Sequence, residues 1–316
     1  MTLDVVVTDK SGKPQSGLQQ QDFTVTDNKQ PQSILSFRAV DGTAAAPDPP
    51  IEVILVIDRV NTSFQSSANE RQQVEKFLRQ NGGRLARPVS LVFFADSGTQ
   101  MGNTSSRDGN ALATALDQSD SSLRSIRRSE GVYGAADRFE LSIRALNSIA
   151  AFEANKPGKK ILVWVSPGWP LLSGPRMDLT AKQHQQLFDE IVAASAALWQ
   201  ARITLYSVDP LGTSDAGGFR TSAYLEFVKG VNMERKALFG NLSLEVLATQ
   251  SGGRVLNSSN DIADQIATCV ADANSFYVLS FDAPAADGPN EFHALEVKIG
   301  KPGLKARTRT LYYAQP

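Results

Sequence analysis

The spacing of apolar residues changes twice along the chain. Short β-branched segments such as Leu3–Thr8 and Asp22–Thr26 come first, with turn residues between them. Between residues 51 and 208 the pattern becomes one of nearly continuous apolar runs, which is typical of strands buried on both faces. These runs are Ile51–Ile57, Val89–Ala95, Lys160–Val165 and Ile203–Val208. After residue 274 the short β pattern returns.

Amphipathic helices are predicted between the buried runs, at 108–117, 138–154 and 179–200. Another helix precedes the second run, and Ser67 and Glu70 have the spacing of a capping box at its start. Alternating strands and helices favour right-handed crossovers. The predicted fold class is therefore α/β, with a doubly wound, mostly parallel sheet.

The two β-rich ends predict a second, smaller module. Residues 1–41 and 274–316 are each too short to bury a useful face, but together they hold roughly 80 residues, enough for one small β-sandwich. We expect them to pair, with an α/β domain at 51–273 inserted between them. Residues 42–50 are rich in Gly, Ala and Pro and predict a linker.

Composition narrows the function classes. There are 32 basic and 33 acidic residues, for a net charge of -1, so no overall field favours nucleic acid. The single cysteine excludes an internal disulfide and, with only 2 histidines, a cysteine-ligated zinc site. No apolar run approaches the roughly 20 residues that span a bilayer.

Candidate binding or catalytic residues lie where the buried runs end, because ligands of an open parallel sheet bind outside the carboxyl ends of its strands. Asp58, Asp96, Ser166 and Asp209 follow the four runs. Helix caps and local turns are the ordinary role of such residues. Asp58 stands out, because it follows the most apolar run and opens a polar loop.

Five segments carry a family resemblance: Val5–Gly12, Asp22–Val25, Ile57–Phe64, Lys159–Gly168 and Ser251–Arg254. In this order they resemble von Willebrand factor A (VWA) domains. They resemble more closely the VWA-related family best known from acidobacterial genomes, over nearly the whole chain. The resemblance implies an exported, periplasmic or extracellular protein that binds a protein partner. The N-terminus shows no signal-peptide pattern. The sequence itself is therefore compatible with two alternatives, a cytosolic protein or an exported protein whose signal peptide has been removed.

Many VWA domains hold Mg²⁺ at a metal-ion-dependent adhesion site, with oxygen ligands from an Asp-x-Ser-x-Ser loop and two further loops. The resemblance implies Asp58 as the first ligand and Thr62 as the last residue of the loop, with Asn61 able to lend an amide oxygen. The expected threonine position falls near Asp137 or Arg138, and Ser166 takes the place of the third-loop aspartate. Val60 replaces the first serine and offers no ligand, so we expect a degenerate site.

Long loops at this edge predict a partner surface. Segments 97–107, 118–137 and 210–240 exceed the usual loop length. Arg124, Arg127 and Arg128 could receive an acidic partner, or form an ordinary solvated charge cluster. Trp169 could be an exposed anchor or a core residue.

Enzymatic function is the less favoured alternative. A phosphatase-like hydrolase could use Asp58 as a strand-end nucleophile, but such enzymes need a second acid two residues on, where Val60 stands. The phosphate-loop, dinucleotide and nucleophile-elbow motifs are missing from the sequence. A non-enzymatic interaction or adhesion module is therefore the predicted function.

Overall fold

The computed structural model describes residues 1–41, 50–102, 105–119, 131–170, 179–211 and 223–316. In chain order the strands are β1 (Thr2–Thr8), β2 (Phe23–Asp27), β3 (Gln30–Gln32), β4 (Ile34–Asp41), β5 (Ile51–Asp58), β6 (Arg84–Ala95), β7 (Gly98–Met101), β8 (Ser106–Asp108), β9 (Lys159–Val165), β10 (Ile203–Val208), β11 (Val255–Leu256), β12 (Ser275–Phe281), β13 (Glu291–Ile299), β14 (Lys305–Arg307) and β15 (Leu311–Ala314). The principal helices are α1 (Phe64–Leu78), α2 (Gly109–Gln118), α3 (Gly131–Ala154), α4 (Ala181–Gln200), α5 (Leu244–Gln250) and α6 (Ile262–Ala271).

A mostly parallel sheet forms the centre of the molecule. Its strand order in the described residues is β11-β10-β9-β5-β6-β7, with β8 also paired to β6. The pairs of β5 with β6 and β9, and of β10 with β9 and β11, are parallel, while β7 and β8 run antiparallel to β6. This confirms the predicted mixed α/β class with a mostly parallel central sheet.

Alternate residues of each buried strand enter opposite cores, which explains the continuous apolar runs. Ile54 and Val56 of β5 pack with α3, α4 and α5, whereas Val53 and Leu55 pack with α1, α2 and α6. The sheet is therefore covered by helices on both faces, and its carboxyl edge is held between two packed layers.

The two ends of the chain pair with each other. Strand β1 is antiparallel to β12 and β14, and β2 is antiparallel to β13. Two four-stranded sheets result in the described residues, β14-β1-β12-β4 and β15-β13-β2-β3. Their facing residues, including Val5, Val25 and Leu279, form a third core. The terminal segments thus share one β-module, while the boundaries placed at residues 41, 51 and 273 stay a prediction.

Buried charges join the β-module to the α/β domain. The carboxylate of Asp272, at the end of α6, accepts hydrogen bonds from the Tyr206 hydroxyl (2.8 Å), Arg254 (3.3 Å) and Arg307 (2.6 Å). Tyr206 belongs to the central sheet and Arg307 to β14 of the β-module. One carboxylate therefore ties the two units together.

Two local predictions were wrong. Helix α1 is capped by Ser63, whose hydroxyl oxygen accepts from the backbone N–H of Ser66 at 3.2 Å, so the helix begins before Ser67. Glu70 consequently lies inside the helix and is not part of a capping box. The predicted long loop at 97–107 instead contains β7 and the start of β8, because Gly98 permits a tight turn back onto β6 with φ of 122°.

Candidate functional site

Asp58 occupies the carboxyl end of β5, between β6 and β9, and is 0% exposed. Its Oδ1 accepts hydrogen bonds from the backbone N–H groups of Val60 (3.0 Å) and Asn61 (2.8 Å). Its Oδ2 accepts from Asn61 Nδ2 and from the indole Nε1 of Trp164, both at 2.9 Å. Four N–H donors thus surround the carboxylate and fix the turn that follows β5.

Burial raises the pKa of the Asp58 carboxyl above its ordinary value, while the bonds from Asn61, Trp164 and Ser166 act in the opposite direction. A carboxylate that accepts several N–H bonds has its charge spread over fixed donors. The Asp58 carboxylate therefore holds the backbone of the loop after β5 through its bonds to Val60 and Asn61.

Asn61 extends this network to helix α3. Its Nδ2 donates to the hydroxyl oxygen of Ser142 at 3.0 Å, and Ser142 donates to the carbonyl of Arg138 at 2.7 Å. Asp137 is exposed on the same helix. Ser142 lies five positions after Asp137 in the helix, which places the two side chains about 140° apart around the helix axis. Ser142, and not the predicted Asp137, is thus the residue of α3 that reaches the loop.

Ser166 lies at the end of β9, next to Asp58, and is buried. Its hydroxyl oxygen accepts from the backbone N–H of Gly168 at 3.2 Å, and the hydroxyl acts to lower the pKa of the Asp58 carboxyl. Gly168 has φ of 92°, in the left-handed region where glycine is favoured. The chain turns there and directs Trp169 back into the protein.

Trp169 is 1% exposed and packs edge-on against Trp164, with ring centroids 5.1 Å apart. The expectation of an exposed anchor for a partner was therefore wrong, and the core role is the observed one. The other predicted partner residues, Arg124, Arg127 and Arg128, lie outside the described residues.

Glu70 is a further member of the site that sequence reasoning missed, as it missed Trp164 and Ser142. It is 1% exposed on α1. Burial is the main cause that raises the pKa of its carboxyl well above the ordinary value, and the charge of Asp58 adds to the effect. The Thr62 hydroxyl and the charge of Arg59 act in the opposite direction. A signal existed, because Glu70 lies four positions before the buried Val74, on the same face of the helix.

The loop after β5 departs from the pattern of a metal-ion-dependent adhesion site at several positions. Val60, in place of the first serine, is buried in the core. Both oxygens of Asp58 already accept two N–H donors each. Asp137 does not reach the loop, and Ser166 brings no charge. In the described part of the chain, no cluster of three or more His, Cys, Asp or Glu side chains could hold a metal ion.

The loop also lacks the second acid that the hydrolase alternative needs. Two residues after Asp58 stands Val60, which is buried in the core. His184 bonds through Nδ1 to the carbonyl of Ala237 at 2.9 Å, and His293 bonds to Asp27 of the β-module at 2.8 Å. Each imidazole therefore makes its hydrogen bond away from Asp58.

No described helix is long and apolar enough to cross a bilayer.

No protein-family model matches the chain, and no curated protein matches it. Among solved structures, the chain is similar to the PilB minor pilin from Streptococcus sanguinis, with 9% identity, a TM-score of 0.41, and coverage of 71% of this chain and 62% of the pilin. It is similar to the pilus adhesin SpaC from Lactobacillus rhamnosus GG, with 10% identity, a TM-score of 0.39, and coverage of 82% and 44%. It is also similar to the SpRpn10 VWA domain, with 14% identity, a TM-score of 0.30, and coverage of 68% and 94%. The chain thus spans less than two thirds of the length of either pilus protein.

Proposed function

We propose that the protein is a non-enzymatic, VWA-like interaction module that binds a protein partner at the carboxyl edge of its central sheet. In this proposal the edge holds a degenerate metal-ion-dependent adhesion site, which keeps the loop geometry and does without Mg²⁺. The protein is exported, as its family resemblance implies, and meets its partner outside the cytoplasm.

The observation that carries the proposal is the closed set of four N–H bonds around Asp58. Such a carboxylate is a poor nucleophile and a poor metal ligand, because its lone pairs are already engaged. It is well suited to hold a loop in one conformation. A preorganised loop binds a partner with a smaller loss of conformational entropy.

Site-specific photo-crosslinking in cells that make the full-length protein tests the binding face. A photoreactive amino acid at Ser97, exposed just after β6, should give a discrete protein adduct. The same group at Lys298, which is exposed on β13 of the β-module, is the matched control. Adducts from the control position alone would place the partner on the β-module and contradict the proposal.

Fractionation of the same cells tests export. Recovery of the protein solely from the cytoplasm would contradict export.

Calorimetric titration of Mg²⁺, Mn²⁺ and Ca²⁺ into chelator-treated protein tests the degenerate site. We expect no saturable binding that depends on Asp58. Saturable binding that disappears in Asp58→Ala would restore the metal-dependent adhesion site. For the hydrolase alternative, p-nitrophenyl phosphate turnover should be the same in wild type and Asp58→Asn, and turnover lost in the variant would instead support an enzyme.

A further inference from the structure

A second candidate site lies at the seam between the β-module and the amino edge of the sheet, away from Asp58. It is a cavity of about 180 Å³. Four elements meet there: strand β1, the end of α4, the start of β10, and the β14–β15 connection. The lining residues used below are Asp4, Leu198, Trp199, Arg202 and Arg309.

Arg309 is the central feature of this cavity. The residue is 7% exposed, and its Nη1 donates to the carbonyl oxygen and the hydroxyl of Ser195, both at 3.2 Å. Within the described residues no carboxylate forms an ion pair with it, and the hydrogen bonds to Ser195 are both made by Nη1. Burial alone lowers the pKa of the guanidinium to about 10. A buried cation without a counter-charge is costly, so its position here requires an explanation.

The cations near Arg309, unlike Arg309 itself, are paired with carboxylates. Arg307, two residues earlier, pairs with Asp272 at 2.6 Å. Asp4, the acid in the cavity lining, is already bound by Arg202 at 2.7 Å and lies 3.7 Å from the ammonium of Lys159. Two cations therefore offset the charge of Asp4. The surroundings of the cavity remain positive, with Arg309 as the uncompensated charge.

The shape and lining of the cavity select one class of anion. A guanidinium offers two parallel N–H donors, which match the two oxygens of a carboxylate. Trp199, 36% exposed, and the buried Leu198 form an apolar wall beside it. The volume is on the order of six water molecules, so the ligand has at most about ten non-hydrogen atoms. Among the described residues, Arg309 is the single uncompensated charge in the cavity, and one positive charge matches a monoanion better than a dianion such as phosphate.

We propose that this cavity binds a small organic carboxylate, with its oxygens on Arg309 and its apolar part against Trp199 and Leu198. The ligand supplies the counter-charge that the fold does not, so its binding stabilises the seam between the two units. This site is independent of the interaction face around Asp58.

Thermal unfolding and calorimetry at constant ionic strength, with sodium benzoate, acetate and phosphate as probes, test the proposal. We expect saturable stabilisation by benzoate, weaker stabilisation by acetate because it leaves the Trp199 wall uncovered, and no saturable effect of phosphate. Equal effects of phosphate and benzoate would indicate a general anion site and overturn the carboxylate assignment. N-acetylphenylalanine, which exceeds the cavity, should bind more weakly than benzoate. Tighter binding would point instead to a peptide carboxyl terminus and overturn the small-acid assignment.

Variants separate binding from a structural role. Arg309→Met should weaken benzoate binding at least about tenfold, the loss of one charged hydrogen-bonding partner. Without ligand this variant should unfold at the same or a higher temperature, because it removes an unpaired buried charge. A large drop in its unfolding temperature would mean that Arg309 is structural, which would overturn the proposal.

Two further variants keep the test decisive if Arg309→Met does not fold. Trp199→Ala should reduce benzoate binding to the level of acetate. In wild type, benzoate should shift the Nε–H resonance of Arg309, which is assigned by its loss in Arg309→Lys. An unmoved resonance, or benzoate binding unchanged in Trp199→Ala, would contradict the proposed site.

Discussion

The indole N–H of Trp164 on β9 donates a hydrogen bond of 2.9 Å to Oδ2 of Asp58 on β5. The two strands are neighbours in the sheet, and Trp164 is opposite Val56 in their parallel register. The aromatic side chain thus reaches forward along the sheet to the carboxylate that ends β5. This bond connects the core of the domain to the loop of the candidate interaction face.

Asp58→Asn should lower the free energy of unfolding by about 2–4 kcal/mol. The amide keeps one acceptor oxygen and introduces an NH₂ group against two N–H donors, so buried donors lose their partner. Urea unfolding followed by far-UV circular dichroism measures the change. The matched control is Asp137→Asn, on the exposed face of α3, which should stay within about 0.5 kcal/mol. Equal values for the two variants would show that the buried network contributes nothing to stability.

Trp164→Phe removes the indole donor and keeps most of the ring. We expect it to be coupled to Asp58→Asn, with an interaction free energy of at least about 1 kcal/mol in a double-mutant cycle. The reason is that each single change already breaks the same hydrogen bond. Additive effects would mean that Trp164 acts through packing alone, for example through its contact with Trp169.

Glu70 should make stability fall as the pH rises. The pKa of its carboxyl is raised in the folded state by burial and by the charge of Asp58, so the folded protein holds this proton more tightly than the unfolded chain. The resulting stability is fully present below the ordinary value of 4.5. It is lost as the pH rises through the folded-state pKa.

Glu70→Gln tests this pH dependence, because the amide is neutral at every pH. The free energy of unfolding of the variant, relative to that of wild type, should rise by at least about 1 kcal/mol between pH 5 and pH 8, as measured by urea unfolding. Glu75→Gln is the control, since Glu75 lies on the same helix in an exposed ion pair with Arg79. The same pH slope in wild type and Glu70→Gln would contradict a raised pKa for Glu70.

Much of the fold was predictable because the burial of strands and helices determines the spacing of apolar residues in the sequence. Every residue of Lys159–Val165 is buried, and Lys160–Val165 was predicted as an inner strand from its nearly continuous apolar character. The site was less predictable. Asp58 was found because it ends such a strand, but its use depends on donors that are distant in sequence, such as Trp164, 106 residues away.

Residues whose local sequence allowed two roles were the hardest to assign. Glu70 has the same spacing from Ser67 as a capping box, and only the cap at Ser63 shows that it lies inside α1. Trp169 could have been core or surface, and the turn at Gly168 decided between them. In each case the sequence offered two local roles, and tertiary packing selected one.

Asp272→Asn should disrupt the connection between the β-module and the α/β domain. The carboxylate is 0% exposed and compensates the partly buried Arg254 and Arg307, so its loss leaves these two cations without their counter-charge. We expect unfolding to become easier by about 3–5 kcal/mol. Asp261→Asn is the control, because its ion pair with Lys76 is exposed and asparagine also caps a helix, so the loss should stay below about 1 kcal/mol. If both variants lost the same free energy of unfolding, Asp272 would contribute no more stability than an exposed ion pair. Apolar packing alone would then hold the β-module on the α/β domain.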